Sequence, residues 1–208
     1  MLDSEVIEIP TDRSGCPLQL VWPIPGNPAA ISEFSTLQEW RAFMLSINLN
    51  SRIHRPTLEK YERAQNFYYM GSVHYDFIKG GELAALVALE LALIDCYSLK
   101  LRTPTMERPP PLYRLLRYMV EDDGLTDDQI PIVRRCGGSV IANLYEPETD
   151  RKARYAKSPR PEPPMTLVER RNKAAHGDPF DTSPSSGLLE VVRDLIEYAY
   201  RDIIGSPR

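Results

Sequence analysis

Leu83-Ala-Ala-Leu-Val-Ala-Leu-Glu-Leu-Ala-Leu-Ile94 decides the fold. The run is apolar on every face of a helix, broken only by Glu90, and the pattern continues from Glu82 to Leu101 with the small residues Ala85, Ala88, Ala92 and Cys96 among leucines. A helix that is apolar all round lies inside a bundle or a membrane. Twelve residues fall well short of the ~20 that cross a bilayer, so the stretch is expected to be the central helix of an all-α bundle.

The flanking sequence supplies the partners. From Thr57 to Lys79, residues Tyr61, Ala64, Tyr68, Gly71, Tyr75 and Ile78 are spaced 3, 4, 3, 4, 3, one stripe of a helix that ends before Gly80-Gly81. Pro109-Pro-Pro111 opens a helix through Leu112, Leu115, Leu116, Met119 and Val120, which Asp122-Asp-Gly124 stops. Thr126 with Gln129 forms a capping box for a helix from about Asp128 to Tyr145, although Gly137-Gly138 interrupts it. Thr166 with Glu169 forms another, starting a helix at Leu167 that ends at His176-Gly177, with Pro179 beyond. Ser183-Pro184 begins the last helix, whose inward face is Leu188, Val192, Leu195, Ala199 and Ile203.

Residues 1–34 read as an N-terminal arm. Two alternating runs, Glu5–Ile9 and Leu18–Trp22, joined by Asp12-Arg-Ser-Gly15, suggest a β-hairpin. Residues 35–208 read as one helical domain, with its core at about 57–204, a short first helix from Ser35 to Leu49 and a long loop at 147–164. Proline, 19 of 208 residues, clusters where helices begin.

Composition excludes several classes. The N-terminus is acidic and has no basic flank with an apolar segment, so it does not read as a signal peptide. Cys16, Cys96 and Cys136 are far apart and only three histidines accompany them, so neither a disulfide framework nor a metal site is expected, and a reducing cytoplasm is. No cofactor is implied. A net charge of −4 and a pI near 5.5 argue against a general phosphate-binding surface. One basic decade stands out: Arg151, Lys152, Arg154, Lys157 and Arg160 surround Tyr155. Charge with one stacking aromatic suits an RNA-binding arm, and the same composition also describes a solvated loop.

The candidate chemistry lies on the helix 167–176. Arg171 is four residues after Leu167, three after Val168, and three and four before Ala174 and Ala175, so helical arithmetic places it on the apolar stripe. A guanidinium there needs a partner, a ligand or an opening. Glu90, a carboxylate in the most apolar helix, is the candidate ion-pair partner. Asn172 and His176 are four apart and share an edge, whereas Arg171 and His176 diverge by about 140°. The macrodipole at the helix C-terminus favours a protonated His176, although a histidine at a helix end ordinarily serves as a cap. His74, beside Tyr68, Tyr69 and Tyr75, is a candidate for the same cleft.

Val168-Glu-Arg-Arg-Asn-Lys-Ala-Ala-His-Gly177 resembles the Arg-Asn-x-x-Ala-His-Gly form of the HEPN superfamily motif. Ala84-Ala-Leu-Val-Ala-Leu-Glu-Leu-Ala-Leu93 looks like the second core helix of that superfamily. The resemblance covers roughly 57–204 and is specific only at the motif. It implies a helical bundle that forms a homodimer with two motifs facing one cleft, and a metal-independent endoribonuclease of toxin–antitoxin or phage-defence systems, with an antitoxin or defence partner. It further implies that Arg171 stabilises the phosphate, that His176 is the general acid or base in attack by the ribose 2′-hydroxyl, and that Asn172 orients one or the other. The superfamily also contains inactive members that serve as interaction or RNA-binding modules, and that alternative stands beside the enzyme.

Overall fold

The computed structural model describes residues 15–101, 108–145, 165–176 and 187–206. Among them are a two-stranded antiparallel sheet and eight α-helices. The sheet pairs β1 (Leu18–Val21) with β2 (Ile31–Phe34), with Leu18 opposite Phe34 and Val21 opposite Ile31. The helices are α1 (Leu37–Ser46), α2 (Arg55–Met70), α3 (Asp76–Leu101), α4 (Leu112–Glu121), α5 (Pro131–Cys136), α6 (Leu167–His176), α7 (Leu188–Ala199) and α8 (Arg201–Gly205).

α3 is the hub. It packs along most of α2 and also against α4, α6 and α7, and its Ala85, Leu86, Ala88, Leu89, Ala92 and Leu93 are all fully buried. Tyr61 on α2 ties three elements together, its hydroxyl donating to the carbonyls of Ile47 (2.9 Å) and Leu189 (3.1 Å). α1 begins at a capping box in which the Glu39 amide donates to Thr36 Oγ1 at 3.1 Å and the Thr36 amide to Glu39 Oε2 at 3.3 Å. α4 starts behind the proline triplet and buries Leu112, Leu115, Leu116 and Met119. No helix of the described residues is long and apolar enough to cross a membrane.

Several sequence-based expectations are corrected. The Leu18 strand pairs with Ile31–Phe34, and the turn is the proline-rich 23–28 segment, closed by the Trp22 amide donating to the Ala30 carbonyl at 2.8 Å. The 5–9 run lies outside the described residues. The break between the two strongest helices falls at 71–75, so Tyr75 is exposed, while Gly80-Gly81 sits inside α3. Those glycines do not terminate a helix; they let two helices approach. A Cβ on Gly81 would lie 2.5 Å from Tyr68 Cδ2 and 3.2 Å from the Ala64 carbonyl oxygen. Gly81→Ala is therefore expected to cost about 1–3 kcal/mol by overpacking, read as a lower urea midpoint.

The 128–145 region is not one helix. It forms a 3-10 turn at Asp127–Gln129, the short α5, and a second 3-10 turn at Ile141–Asn143. Gly137 and Gly138 adopt φ of 81° and 92°, which reverses the chain. Asp127 then accepts the amides of Val140 (2.8 Å) and Ile141 (3.1 Å), satisfying donors that a continuous helix would have used. The last helix divides at Tyr200, and Ile203 is exposed rather than inward.

Candidate functional site

α6 is anchored at its first turn and free of the core at its last. Thr166 and Glu169 form the expected capping box: the Thr166 amide donates to Glu169 Oε2 at 2.8 Å and the Glu169 amide to Thr166 Oγ1 at 3.3 Å. Thr166 and Leu167 are buried, Arg171 is half-buried, and Asn172 to His176 are exposed. Ala174 and Ala175, expected on the inward stripe, face outward instead. Among the described residues the bundle covers the N-terminal half of α6, and the later positions of the stripe are left exposed.

Arg171 and Glu90 come together across the α6–α3 contact. Glu90 Oε2 accepts from Arg171 Nη2 at 2.7 Å and from Nε at 3.1 Å, while Nη1 donates to Asn172 Oδ1 at 3.4 Å. Side-chain exposure is 29% for Arg171 and 21% for Glu90, so water reaches the pair and its burial cost is moderate. Glu90 interrupts the apolar helix because that position faces α6. The guanidinium is thereby held in place while His176, five positions on, projects from the exposed end of the helix.

His74 does not join this group. It lies in the 71–75 turn, where its Nδ1 accepts from the Asp76 amide at 3.3 Å. Asp76 begins α3, and fourteen residues at 1.5 Å each put Glu90 about 21 Å further along. Arg151, Lys152, Arg154, Tyr155, Lys157 and Arg160, the candidate RNA-binding residues, lie outside the described residues, as do Gly177, Pro179 and Ser183-Pro184. Among the described residues, no group of three or more His, Cys, Asp or Glu side chains is placed to hold a metal ion.

The sequence reading did not find His54. Its Nδ1 lies 2.6 Å from Asp95 Oδ2, the same oxygen that accepts the Tyr200 hydroxyl. The three residues come from the N-cap of α2, the C-terminal half of α3 and the α7–α8 junction. No local pattern links positions 54, 95 and 200; only packing of α2 and α7 on α3 does. Burial and the Asp95 contact push the Tyr200 hydroxyl well above its ordinary range, so Tyr200 acts as the donor.

No protein-family model, no curated protein and no solved structure matches the chain.

Proposed function

We propose that this chain is a HEPN-type, metal-independent endoribonuclease, acting in the cytoplasm as a homodimer joined through the motif-bearing face, in toxin–antitoxin or phage defence. The observation that carries the reading is the state of the motif side chains on α6: Arg171 is held by Glu90 at 2.7 Å with part of its guanidinium open to water, and Asn172 and His176 are exposed. Side chains sealed within one subunit could not meet RNA.

In this reading Arg171 stabilises charge on the phosphate, His176 transfers the proton, and Asn172 orients the histidine or the phosphate. The ~140° between Arg171 and His176 is overcome by a second copy, each subunit facing its motif to the other across one cleft. Glu90 is a positioning residue that sets the direction of the guanidinium.

A second reading, a HEPN-like interaction or RNA-binding module without catalysis, draws on the same ion pair. Glu90 neutralises Arg171, and a neutralised guanidinium stabilises a phosphorane less.

Incubation of the purified chain with mixed single-stranded RNA in EDTA separates the two. The enzyme predicts cleavage that persists in chelator and leaves 2′,3′-cyclic phosphate and 5′-hydroxyl ends. Intact RNA with folded protein selects the module, and cleavage that EDTA abolishes removes metal independence.

A further inference from the structure

Between the C-terminal ends of α3 and α7 and the N-terminus of α2 lies a solvent-open cavity of about 230 Å³, lined by His54, Asp95, Lys100, Arg201, Asp202 and Ile203 among others. It is separate from the Arg171 site: Asp95 is five residues past Glu90 on α3, a turn of about 140°.

The polar groups around this cavity fall into a closed set and an open one. The closed set is centred on Asp123, whose two oxygens each accept from Arg201 at 2.8 Å and one of which also accepts from the Tyr97 hydroxyl at 2.7 Å. The Arg201 guanidinium also lies 4.2 Å from the centre of the Tyr198 ring. These groups form a wall with little capacity left. The open set has three members. With His54 Nδ1 held at 2.6 Å by Asp95, the remaining ring nitrogen is the edge left for a ligand. The Lys100 ammonium sits over the rings of Tyr97 (5.5 Å) and Tyr118 (5.8 Å); its charge helps hold the Asp123 carboxyl down, but it makes no direct ion pair with a carboxylate among the described residues. The Asp202 carboxylate makes no side-chain hydrogen bond or ion pair among them either.

An ammonium and a carboxylate that each lack an ion-pair partner among the described residues, with one imidazole edge, lie on a single small cavity and form the complement of a zwitterion. We propose that this cavity binds a free α-amino acid, its carboxylate on Lys100 and its ammonium on Asp202. His54 Nε2 can serve either end, as acceptor in the neutral ring and donor in the protonated one.

Charge balance supports this class over a simple ion. Asp95, Asp123 and Asp202 face Lys100, Arg201 and the His54 ring, so charges of both signs nearly balance in the lining, and a ligand of zero net charge with separated poles meets complementary groups at both ends. The carbonyl ends of α3 and α7 add negative potential, which disfavours a free phosphate. Size points the same way, since the cavity is smaller than the ~300–1,000 Å³ of pockets that hold drug-sized ligands. The inference is independent of the ribonuclease reading.

The test is NMR titration of the full chain, following the His54 ring signal, which is assigned by its loss in His54→Gln. L-alanine, L-serine and L-leucine are added separately at constant ionic strength, beside acetate, ethylammonium and inorganic phosphate. At least one amino acid is expected to shift the His54 signal saturably, with a Kd about tenfold or more below those of the three simple ions. Lys100→Met and Asp202→Asn, both at exposed positions, are each expected to weaken it by about tenfold. The proposal is overturned if none of the three amino acids moves the signal, if acetate, phosphate or ethylammonium binds as tightly, or if either variant, shown folded by circular dichroism, keeps the wild-type Kd. The wild-type titration decides without the variants.

Discussion

His176→Ala is expected to abolish RNA cleavage in EDTA, a fall of at least ~100-fold in rate, because proton transfer by a positioned side chain is worth about 10²–10⁴. The thermal midpoint should not move. His176 is exposed at the last described position of α6 and packs on none of the other described residues. Arg171→Ala should remove cleavage to a similar degree by taking away the positive charge beside the phosphate, and here stability should fall as well, since Glu90 is left without its partner at 2.7 Å.

Glu90→Gln separates positioning from chemistry. The amide can still accept from Arg171 but no longer neutralises it and holds it less firmly, so the variant should bind RNA more tightly through the freed charge while looser positioning of the guanidinium lowers its still measurable rate. Unchanged cleavage in His176→Ala would sink the assignment of the site to α6. Sedimentation of the wild-type chain belongs with these assays, because the reading requires a dimer and a strictly monomeric active species is incompatible with it.

The largest loss of stability is expected from Glu190→Ala, about 3–5 kcal/mol. Glu190 lies in the first turn of α7 with 1% of its surface exposed. It accepts the Trp22 indole at 2.9 Å, both ends of the Arg135 guanidinium at 2.8 and 2.9 Å, and Arg193 at 3.2 Å. One carboxylate therefore joins the end of β1, α5 and α7. Its removal strands the buried Trp22 N–H and leaves Arg193, 14% exposed, with Asp194 as its remaining ion-pair partner among the described residues. A urea titration followed by tryptophan fluorescence reads the loss directly, since Trp22 is itself a reporter.

The same residue predicts a pH dependence. Burial alone would push the Glu190 carboxyl up, but hydrogen bonds from Arg135 and Trp22 outweigh it and hold it below the ordinary 4.5. In that window the unfolded chain binds the proton more tightly than the folded one, so the stability Glu190 contributes is complete above pH 4.5 and is lost as pH falls through the lowered value. Neighbouring Asp194 has the opposite sign. Burial raises it above 3.8 despite Arg193 and the Ile132 amide, so stability from that group declines as pH rises through its window. Glu190→Ala should flatten the acid side of the wild-type stability profile, and an unchanged acid limb would show that the network does not act through Glu190.

Helix identity was legible wherever one short pattern dictated it. The apolar run 83–94 had to be interior, the proline triplet had to precede α4, and the Thr166–Glu169 box had to start α6, because each rests on contacts within a few residues. Pairing of Glu90 with Arg171 was also accessible, since each is a charge in an apolar stripe and one can answer the other. What the sequence by itself determined about this protein is thus its helical class, the start of α6 and the charged residues that needed partners.

Only the tertiary structure decided the rest. Gly80-Gly81 has the composition of a break, yet the close approach of Tyr68 and Ala64 makes it a helix–helix contact. Ala174 and Ala175 continue a stripe in sequence but stand exposed, since none of the described elements lies over them. His54, Asp95 and Tyr200 share one carboxylate oxygen although 41 and 105 residues separate the partners. Local patterns record what a segment can bury; whether a neighbour is there to bury it against depends on how the chain packs on α3, and no window of sequence contains that.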